Sequence, residues 1–389
     1  MNAVDRSEIY LDYAATAPLD PAVAAEMMDC MTSEFANPSS VHRPGRRARR
    51  RVEQARERIG ARVGAPAERI LFTSGATESN NLALQGVLRG GRERPHLVTS
   101  RIEHKSVLDT ARALAQEGVA VSYVDCDADG RVTPERIGEA IRPDTALVSI
   151  MHVNNETGVI QDVAAIGAIC RERGVWLHVD AAQSVGKVPL TLGGSAVDLC
   201  SLTAHKLCGP KGVGALYVGP GVLLAPQIHG GEQERGLRAG TLATHQIVGM
   251  GKAYELADPA VEGPRLAALR DLLWDGLRGV PGARANGSQE HRAPHVLNVT
   301  FPGAEGESLR LALRDLAVSA GSACAADSPE ASHVLKGLGL SDTLAASSLR
   351  FSVGRFTTEA EVAAGAARAA AEVARLRTIA KSAPAWCSV

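Results

Sequence analysis

One stretch organises this sequence: Val197-Asp198-Leu199-Cys200-Ser201-Leu202-Thr203-Ala204-His205-Lys206-Leu207-Cys208-Gly209-Pro210-Lys211-Gly212. A short apolar run leads to Lys206, and a glycine-rich break follows it. A lysine that is held in a pocket has a lowered pKa and can attack a carbonyl group as a nucleophile. Thr203 and His205 beside it can hydrogen-bond an anion. Taken alone, the pattern also fits a solvated lysine in a surface loop, so the rest of the chain has to decide.

The composition excludes several classes of protein. The 389 residues suffice for two domains, and 42 basic against 43 acidic residues give no global signal for nucleic acid or membrane surfaces. No apolar run is long enough to span a bilayer, and the first residues lack the pattern of a secretory signal. Seven cysteines are scattered without CxxC pairing, which indicates free thiols in a reducing compartment. We therefore expect a cytoplasmic protein.

Strand and helix patterns alternate along most of the chain. Strands are predicted at residues 69–73, 96–100, 119–124, 145–151, 175–180 and 212–218, with helices between most of them. This order favours an α/β fold in which helices cover both faces of a parallel sheet. Ligands of such sheets bind at the carboxyl ends of the strands. Just after predicted strands stand Thr77, His104, Asn155, Asp180, Gln183 and Lys206.

An anion site is predicted where the first of these strands ends. The strand runs into Ser74-Gly75-Ala76-Thr77-Glu78, and a helix begins there. Free backbone N–H groups and the helix dipole point at one spot in such a turn. The alternative is an ordinary strand-to-helix loop with a capped helix.

A second unit is predicted in the last third of the chain. Asp258-Pro259 marks a boundary, and a long helix is expected from Pro264 to residue 277. Strands at 295–301 and 348–353 and helices at 307–316 and 359–377 follow. Between them lies Gly321-Ser322-Ala323-Cys324-Ala325-Ala326-Asp327, a run of small residues without regular periodicity.

Residues 43–62 form a strongly basic segment. Nine arginines stand there against two glutamates, and the composition is helical. A solvated helix face is one interpretation. The other is a docking surface for an acidic partner or a nucleic-acid backbone.

Seven blocks in order carry a resemblance to a known family. They are Thr73-Ser74-Gly75-Ala76-Thr77-Glu78-Ser79-Asn80-Asn81, Met151-His152-Val153-Asn154-Asn155-Glu156-Thr157-Gly158, His178-Val179-Asp180-Ala181-Ala182-Gln183-Ser184-Val185-Gly186-Lys187, Ala204-His205-Lys206, Gly209-Pro210-Lys211-Gly212, Ser319-Ala320-Gly321-Ser322-Ala323-Cys324 and Leu349-Arg350-Phe351-Ser352. In these blocks the sequence resembles the cysteine desulfurases, pyridoxal-phosphate (PLP) enzymes of the class-V aminotransferase family.

The resemblance implies the fold-type I architecture of PLP enzymes and a homodimer. Residues 16–260 would form a large PLP-binding domain around a mainly parallel seven-stranded sheet. Residues 1–15 and 261–389 would form a smaller α+β domain that carries the loop of Cys324. The implied reaction removes sulfur from L-cysteine, gives L-alanine, and passes the sulfur from a persulfide on Cys324 to an acceptor protein.

The resemblance also implies a role for each residue at the cofactor. Lys206 would bind PLP covalently and later move protons at the substrate. Asp180 would keep the pyridine nitrogen protonated, so that the ring can accept electrons. His104 would stack on the ring and donate a proton. On local sequence alone, Asp180 could instead cap a helix, and His104 could be a satisfied polar group in a loop.

Further residues are expected around the cofactor and the substrate. Hydrogen bonds to the phenolic oxygen would come from Asn155 and Gln183. Donors to the phosphate would be Ala76, Thr77, Thr203, His205 and, from the other subunit, Thr241. Arg350 would hold the substrate carboxylate, for which its planar fork is suited, and Asn155 would also contact the substrate. A buried structural salt bridge is the alternative for Arg350.

Cys324 carries the distinctive chemistry of this family. A free thiol has a pKa of about 8.5, so only a minor fraction is thiolate at neutral pH unless the site lowers it. Small neighbours on both sides fit a mobile loop that presents the sulfur. A buried small hydrophobe is the local alternative. We expect no resident metal, although Cys324 could ligate an iron–sulfur cluster transiently.

The sequence leaves the pathway open. The basic segment 43–62 and the C-terminal residues 382–389 depart from the pattern of bacterial cluster-assembly members. Iron–sulfur cluster assembly, tRNA thiolation and DNA thiolation all remain as destinations of the sulfur, without direct nucleic-acid binding. A selenocysteine lyase or another fold-type I PLP enzyme is the alternative activity, and a non-catalytic sulfur-relay scaffold is the alternative outside enzymes.

Overall fold

A computed structural model describes residues 8–90, 95–319 and 331–382. The chain up to residue 218 contains β1 (Ile9–Tyr10), α1 (Pro21–Ser33), α2 (Arg43–Val63), β2 (Ile70–Thr73), α3 (Ala76–Leu88), β3 (His96–Ser100), α4 (Lys105–Gln116), β4 (Ala120–Val124), α5 (Pro134–Ala140), β5 (Thr145–Met151), α6 (Val163–Glu172), β6 (Trp176–Asp180), β7 (Leu199–Thr203) and β8 (Gly214–Val218). The second half contains α7 (Thr244–Leu256), α8 (Pro259–Leu277), β9 (Arg284–Ala285), β10 (Val296–Thr300), α9 (Gly306–Ala312), β11 (Leu316–Ala317), α10 (His333–Gly337), α11 (Asp342–Ala346), β12 (Ser348–Ser352) and α12 (Glu359–Ser382).

The large sheet has seven strands in the order β2-β8-β7-β6-β5-β3-β4. All neighbouring pairs are parallel except those made by β8, which runs antiparallel to β2 and β7. Six of the strands are buried or nearly so along their length, as the apolar runs predicted; β4 at the edge is only partly covered. The predicted α/β fold with a mainly parallel seven-stranded sheet is confirmed.

A three-stranded antiparallel sheet, β12-β10-β9, lies in the second half of the chain, and β1 pairs with β11 in a separate parallel ribbon. Apolar residues of α8, α12, β10 and β12 form one core, distinct from the two cores that flank the large sheet. This arrangement suits the proposed division into residues 16–260 and residues 1–15 with 261–389, which remains a proposal.

Helix α8 begins earlier than its sequence suggested. We expected it from Pro264, but Asp258 caps it by accepting the N–H of Ala260, and Pro259 occupies the first turn, where a missing N–H costs nothing. Pro264 therefore lies inside the helix, still within its first two turns.

Gly75, the residue before α3, approaches β8 closely, and this approach requires glycine at position 214. A Cβ at Gly214 would lie 2.6 Å from the backbone of Gly75. Because no side chain intervenes, the N-terminus of α3 sits directly over the edge of the sheet where the strands end.

Candidate active site

A cavity of about 480 Å³ opens at the carboxyl ends of the large sheet's strands. Its volume is in the usual range for sites of small ligands and cofactors. Among its lining residues are nearly all of the predicted ones: Ala76, Thr77, His104, Asn155, Asp180, Gln183, Thr203, His205, Lys206 and Arg350. The structure thus brings together ten side chains from separate strands and loops.

Two predicted residues are not part of this cavity. Thr241 is exposed and does not line it. Cys324 lies outside the described residues. Both assignments stay predictions.

The N-terminus of α3 offers uncommitted donors to the cavity. No side chain caps this helix, which begins after Gly75. The Thr203 hydroxyl across the cavity is buried and has no hydrogen-bond partner among the described residues. Helix N–H groups without a side-chain cap and an unsatisfied hydroxyl that line the same cavity suit a phosphate.

Asp180 is the last residue of β6, and each of its carboxylate oxygens accepts a hydrogen bond. Its Oδ2 accepts a hydrogen bond from Nδ2 of Asn80 at 2.8 Å, and its Oδ1 accepts the N–H of Ala182 at 2.9 Å. Asn80 is completely buried, and its other contact is to Ser106. The carboxylate is held in one orientation at the cavity wall.

His104 caps α4 and has a defined tautomer. Its Nδ1 accepts the backbone N–H of Ser106 at 3.1 Å and lies 2.8 Å from the Ser106 hydroxyl. A neutral ring in this arrangement carries its proton on Nε2. Burial and the nearby Lys206 lower the pKa of His104, with Asp180 opposing them, which favours the neutral ring.

Asn80 and Ser106 join these two sites into one network. Asn80 Nδ2 donates to the Ser106 hydroxyl at 2.8 Å as well as to Asp180. Sequence reasoning did not single out either residue. The signal available was that Asn80 stands one helical turn after Ala76, inside one of the quoted blocks.

The amide of Gln183 is oriented from two sides. Its Nε2 donates to the backbone oxygen of Ala14 at 2.8 Å, and its Oε1 lies 3.3 Å from Nε2 of His295. His295 is fully buried, and burial with nearby cations holds its pKa well below the usual value. One N–H of the Gln183 amide is left for a ligand.

Several cations surround the cavity. Burial and Lys206 lower the pKa of the buried Lys187 to about 7, and the two lysines line a small second cavity. Burial and three lysines lower the pKa of His205 to about 4, so this ring is neutral at neutral pH. His205 is therefore suited to hydrogen-bond an anion as a neutral donor.

The carboxyl group of Glu103, directly before His104, is completely buried. Burial raises its pKa to about 8, although it accepts hydrogen bonds from Ser100 at 2.6 Å and from the N–H of Met151 at 3.1 Å. A neutral Glu103 under the loop of His104 was not predicted from the sequence.

The donor set fits pyridoxal phosphate. The α3 N-terminus and the unsatisfied Thr203 hydroxyl match a phosphate, the fixed Asp180 carboxylate matches a protonated ring nitrogen, and Lys206 provides an amine. In the described part of the chain, no group of three His, Cys, Asp or Glu residues could hold a metal ion. None of the described helices is long and apolar enough to cross a membrane.

Comparison with known proteins agrees with this geometry. The sequence model of the family described as aminotransferase class-V matches residues 9–364. The chain belongs to this family of PLP-dependent enzymes. The cysteine desulfurase IscS of Aeromonas hydrophila is 55% identical over 363 residues, which cover 91% of this chain and 90% of the relative. Within the class-V family the chain accordingly belongs to the cysteine desulfurases.

Solved structures agree with this assignment. A NifS-like protein superposes with a TM-score of 0.87 at 35% identity, covering 96% of this chain and 99% of the other. SspA, solved in complex with cysteine, superposes with a TM-score of 0.80 at 38% identity, covering 90% of this chain and 99% of the other. The predicted family, fold, enzyme class and cofactor are confirmed.

Proposed function

We propose that the cavity converts L-cysteine to L-alanine and leaves the sulfur as a persulfide on Cys324. The convergence of Lys206, Asp180, His104 and Arg350 on one cavity carries this proposal. A relative by structure was solved with cysteine bound, which supports the same substrate here.

The cofactor would be held at both ends. Lys206 would bind it covalently, Asp180 would face the ring nitrogen, and the phosphate would lie at Ala76 and Thr77 with Thr203 and His205. Asn155 and Gln183 would hydrogen-bond its phenolic oxygen. The chemistry supplied by bound PLP is an electron-accepting aldehyde for the substrate amine.

The chain's own residues would orient the substrate and handle protons. Arg350 would hold the carboxylate through the N–H groups that its protein partners leave free. The Lys206 amine would move a proton at the substrate α-carbon. His104, which carries its proton on Nε2, would donate that proton to the substrate.

The transfer step is balanced without an external oxidant. The Cys324 thiolate would form a bond to the sulfur of the substrate while the Cβ–S bond breaks. The electron pair of that bond would stay with the carbon skeleton, which takes up a proton and leaves as L-alanine. Sulfur would thus be oxidised to the persulfide level as the carbon is reduced.

Both flanks of the segment that carries Cys324 are attached to this cavity. On one side, Ser319 hydrogen-bonds Asp12, which is paired with Arg350. On the other side, Nε2 of His333 contacts the backbone oxygen of Glu103 at 3.0 Å. These attachments support the proposal that a cysteine between them reaches the substrate.

A homodimer is part of the proposal. Thr241 lies exposed at the end of the loop 230–241 and is not among the residues that line its own chain's cavity, which suits a phosphate donor to a second subunit. The loop itself is fixed: Glu234 pairs with Arg56 at 2.8 Å, and Arg238 pairs with Glu78 at 2.9 Å. A loop that two ion pairs hold in place suits a donor that acts across an interface.

The acceptor is proposed to be a protein of the iron–sulfur cluster pathway. The similarity to proteins named IscS supports this choice over tRNA or DNA thiolation. A cytoplasmic location fits with it, since the five described cysteines are free and buried.

Alanine release from L-cysteine by the PLP-loaded enzyme tests the assignment of Lys206. Lys206→Ala should reduce turnover below detection and abolish the absorbance of covalently bound PLP. Lys252→Ala, at a half-buried lysine of α7 that pairs with Glu255 and does not line the cavity, is the matched control and should behave as the wild type. Normal turnover by Lys206→Ala would remove the proposal.

A further inference from the structure

The side chain of Arg350 is almost fully buried, at 1% exposure, and two of its N–H groups are engaged by the protein. Nη1 donates to the backbone oxygen of Asn155 at 2.8 Å, and Nη2 donates to Oδ1 of Asp12 at 2.8 Å. Nε is buried and has no hydrogen-bond partner among the described residues. Because Arg350 lines the cavity, this unsatisfied donor marks a place for a ligand.

Asp12 is engaged through both of its carboxylate oxygens. Oδ1 accepts from Arg350, and Oδ2 accepts from the Ser319 hydroxyl at 2.9 Å. The backbones of Arg350 and Ser319 are also paired, with Arg350 N–H donating to Ser319 O at 2.6 Å and Ser319 N–H to Arg350 O at 3.2 Å. Three distant chain segments are therefore fixed to one another at the cavity wall.

This arrangement limits how Arg350 can meet a ligand. A guanidinium has five N–H groups in a rigid plane, so two fixed contacts leave three donors in known directions. The negative charge of Asp12 also offsets the cost of burying Arg350 before a ligand arrives. Without Asp12, one side of the guanidinium would lose its support and the plane could rotate.

We propose that Asp12 is a positioning residue for substrate recognition, which holds the plane of Arg350 through Oδ1 and is itself held by Ser319 through Oδ2, so that the remaining donors of Arg350 meet an amino-acid carboxylate in a fixed orientation. This inference rests on the proposed role of Arg350. Ser319 stands five positions before Cys324 in the sequence. The Asp12 carboxylate therefore joins Arg350 to a residue close to Cys324 in the sequence.

The test compares two ligands of the PLP-loaded enzyme that differ in the carboxylate. L-Alanine carries the group that Arg350 would bind, and cysteamine has the thiol and amine of cysteine without it. In Asp12→Ala, the KM for L-cysteine and the inhibition constant of L-alanine should rise about tenfold, the effect of losing one well-oriented charged contact. The kcat for L-cysteine and the inhibition constant of cysteamine should change less than about twofold.

Three other variants complete the comparison. Asp12→Asn keeps an acceptor for Arg350 and should give an intermediate rise in KM, and Ser319→Ala should do the same by freeing Oδ2 of Asp12. Asp20→Asn is the matched control, since Asp20 pairs at 2.9 Å with Arg355, which does not line the large cavity. It should leave the KM unchanged.

The outcomes separate this inference from the proposed function. A raised KM in Arg350→Ala with an unchanged KM in folded Asp12→Ala would overturn the role of Asp12 and leave that of Arg350 intact. An unchanged KM in Arg350→Ala would overturn both. Equal weakening of L-alanine and cysteamine in Asp12→Ala would show a general structural effect and contradict the inference. Should Asp12→Ala not fold, an unchanged KM in Asp12→Asn would overturn it as well.

Discussion

Asn80 donates a hydrogen bond from Nδ2 to Oδ2 of Asp180 over 2.8 Å, and neither side chain is more than 6% exposed. The same amide group contacts Ser106, which contacts Nδ1 of His104. One buried amide therefore orients a carboxylate and, through Ser106, an imidazole that both line the cavity.

Removal of this amide should weaken the hold on PLP. In Asn80→Ala, Asp180 loses a donor to its charged form, worth about 1.5–3 kcal/mol, so its carboxylate is held less firmly and the proposed contact with the ring nitrogen weakens. We expect PLP to dissociate at least tenfold faster, as followed by absorbance during dialysis. Asn81→Ala is the control, because the Asn81 side chain contacts Thr77, Gln85 and Thr110 instead. Equal PLP dissociation rates in Asn80→Ala and wild type would contradict the account.

The buried ion pair between Arg56 and Glu234 should be a major stabilising contact. Glu234 also accepts the N–H of Phe72 at 2.7 Å, and its backbone lies in the left-handed region at φ 47°. Glu234→Gln would leave the buried Arg56 charge with only Glu53, whose side chain is half exposed, as counter-ion, at a cost of about 3 kcal/mol. The thermal unfolding midpoint should fall by several degrees, while the exposed Glu232→Gln should not move it. A midpoint as in the wild type for Glu234→Gln would contradict this interpretation.

Glu103 should make stability depend on pH. Burial raises the pKa of Glu103 to about 8 from an ordinary value near 4.5, so the folded state binds its proton more tightly than the unfolded state. The contribution of Glu103 to the free energy of unfolding is complete below about pH 4.5. It is lost as the pH rises toward 8, at up to about 1.4 kcal/mol per pH unit.

Glu103→Gln isolates that contribution, since an amide keeps the acceptor for Ser100 and Met151 and does not titrate. The free energy of unfolding of each protein is measured by denaturant unfolding. As the pH rises from 5 to 8, the value for Glu103→Gln should increase relative to the value for the wild type. His152 and His178, whose pKa burial lowers to about 4, affect both proteins alike and cancel. A difference that stays constant with pH would show that Glu103 is not buried as a neutral acid.

The basic helix α2 divides into a structural and an exposed set of arginines. Arg51 lies among Glu26, Asp29 and Glu34, Arg56 and Arg58 also form ion pairs within the chain, and Nε of the half-buried Arg62 donates to the backbone oxygen of Tyr254. The exposed arginines are Arg43, Arg46, Arg47, Arg49 and Arg50. Only the exposed set is available to an acidic acceptor.

Charge reversal at Arg47 and Arg50 should therefore lower sulfur delivery to an acidic acceptor protein and leave alanine release unchanged. The loss should shrink as salt is added, because exposed charges are screened. Arg173→Glu, an exposed arginine at the end of α6, is the control. If the double variant delivers sulfur as well as the wild type, the exposed arginines of α2 form a solvated surface and not a docking surface.

Much of this fold could be predicted because its signals are local. Apolar runs predict the strands, and polar residues after these runs predict the cavity lining, so the position of His104, Asp180 and Lys206 at the cavity could be predicted from the sequence pattern, whereas their roles come from the family resemblance. Asn80 was inside a quoted block, but nothing in the sequence says which way a helical side chain points. Asp12 and Arg350 are 338 positions apart, and no spacing rule predicts a contact between them.

Burial likewise could not be predicted from single residues. Arg51, Arg56 and Arg58 look the same in sequence as the exposed arginines between 43 and 50. Only the packing of α1 and α2 on α7 and the position of Glu234 decide which are buried. The predicted docking surface is smaller than its sequence suggested for this reason.

The central claim is that Cys324 accepts the sulfur of L-cysteine at this cavity. The most direct measurement is alanine release from L-cysteine, with a reductant present, by the PLP-loaded wild type, by Cys324→Ser and by Cys126→Ser, whose thiol is buried and whose pKa burial raises to about 11. We expect full activity in wild type and Cys126→Ser and loss of activity in Cys324→Ser. Equal alanine release by Cys324→Ser and wild type would contradict it and would indicate a PLP lyase that needs no sulfur-accepting thiol.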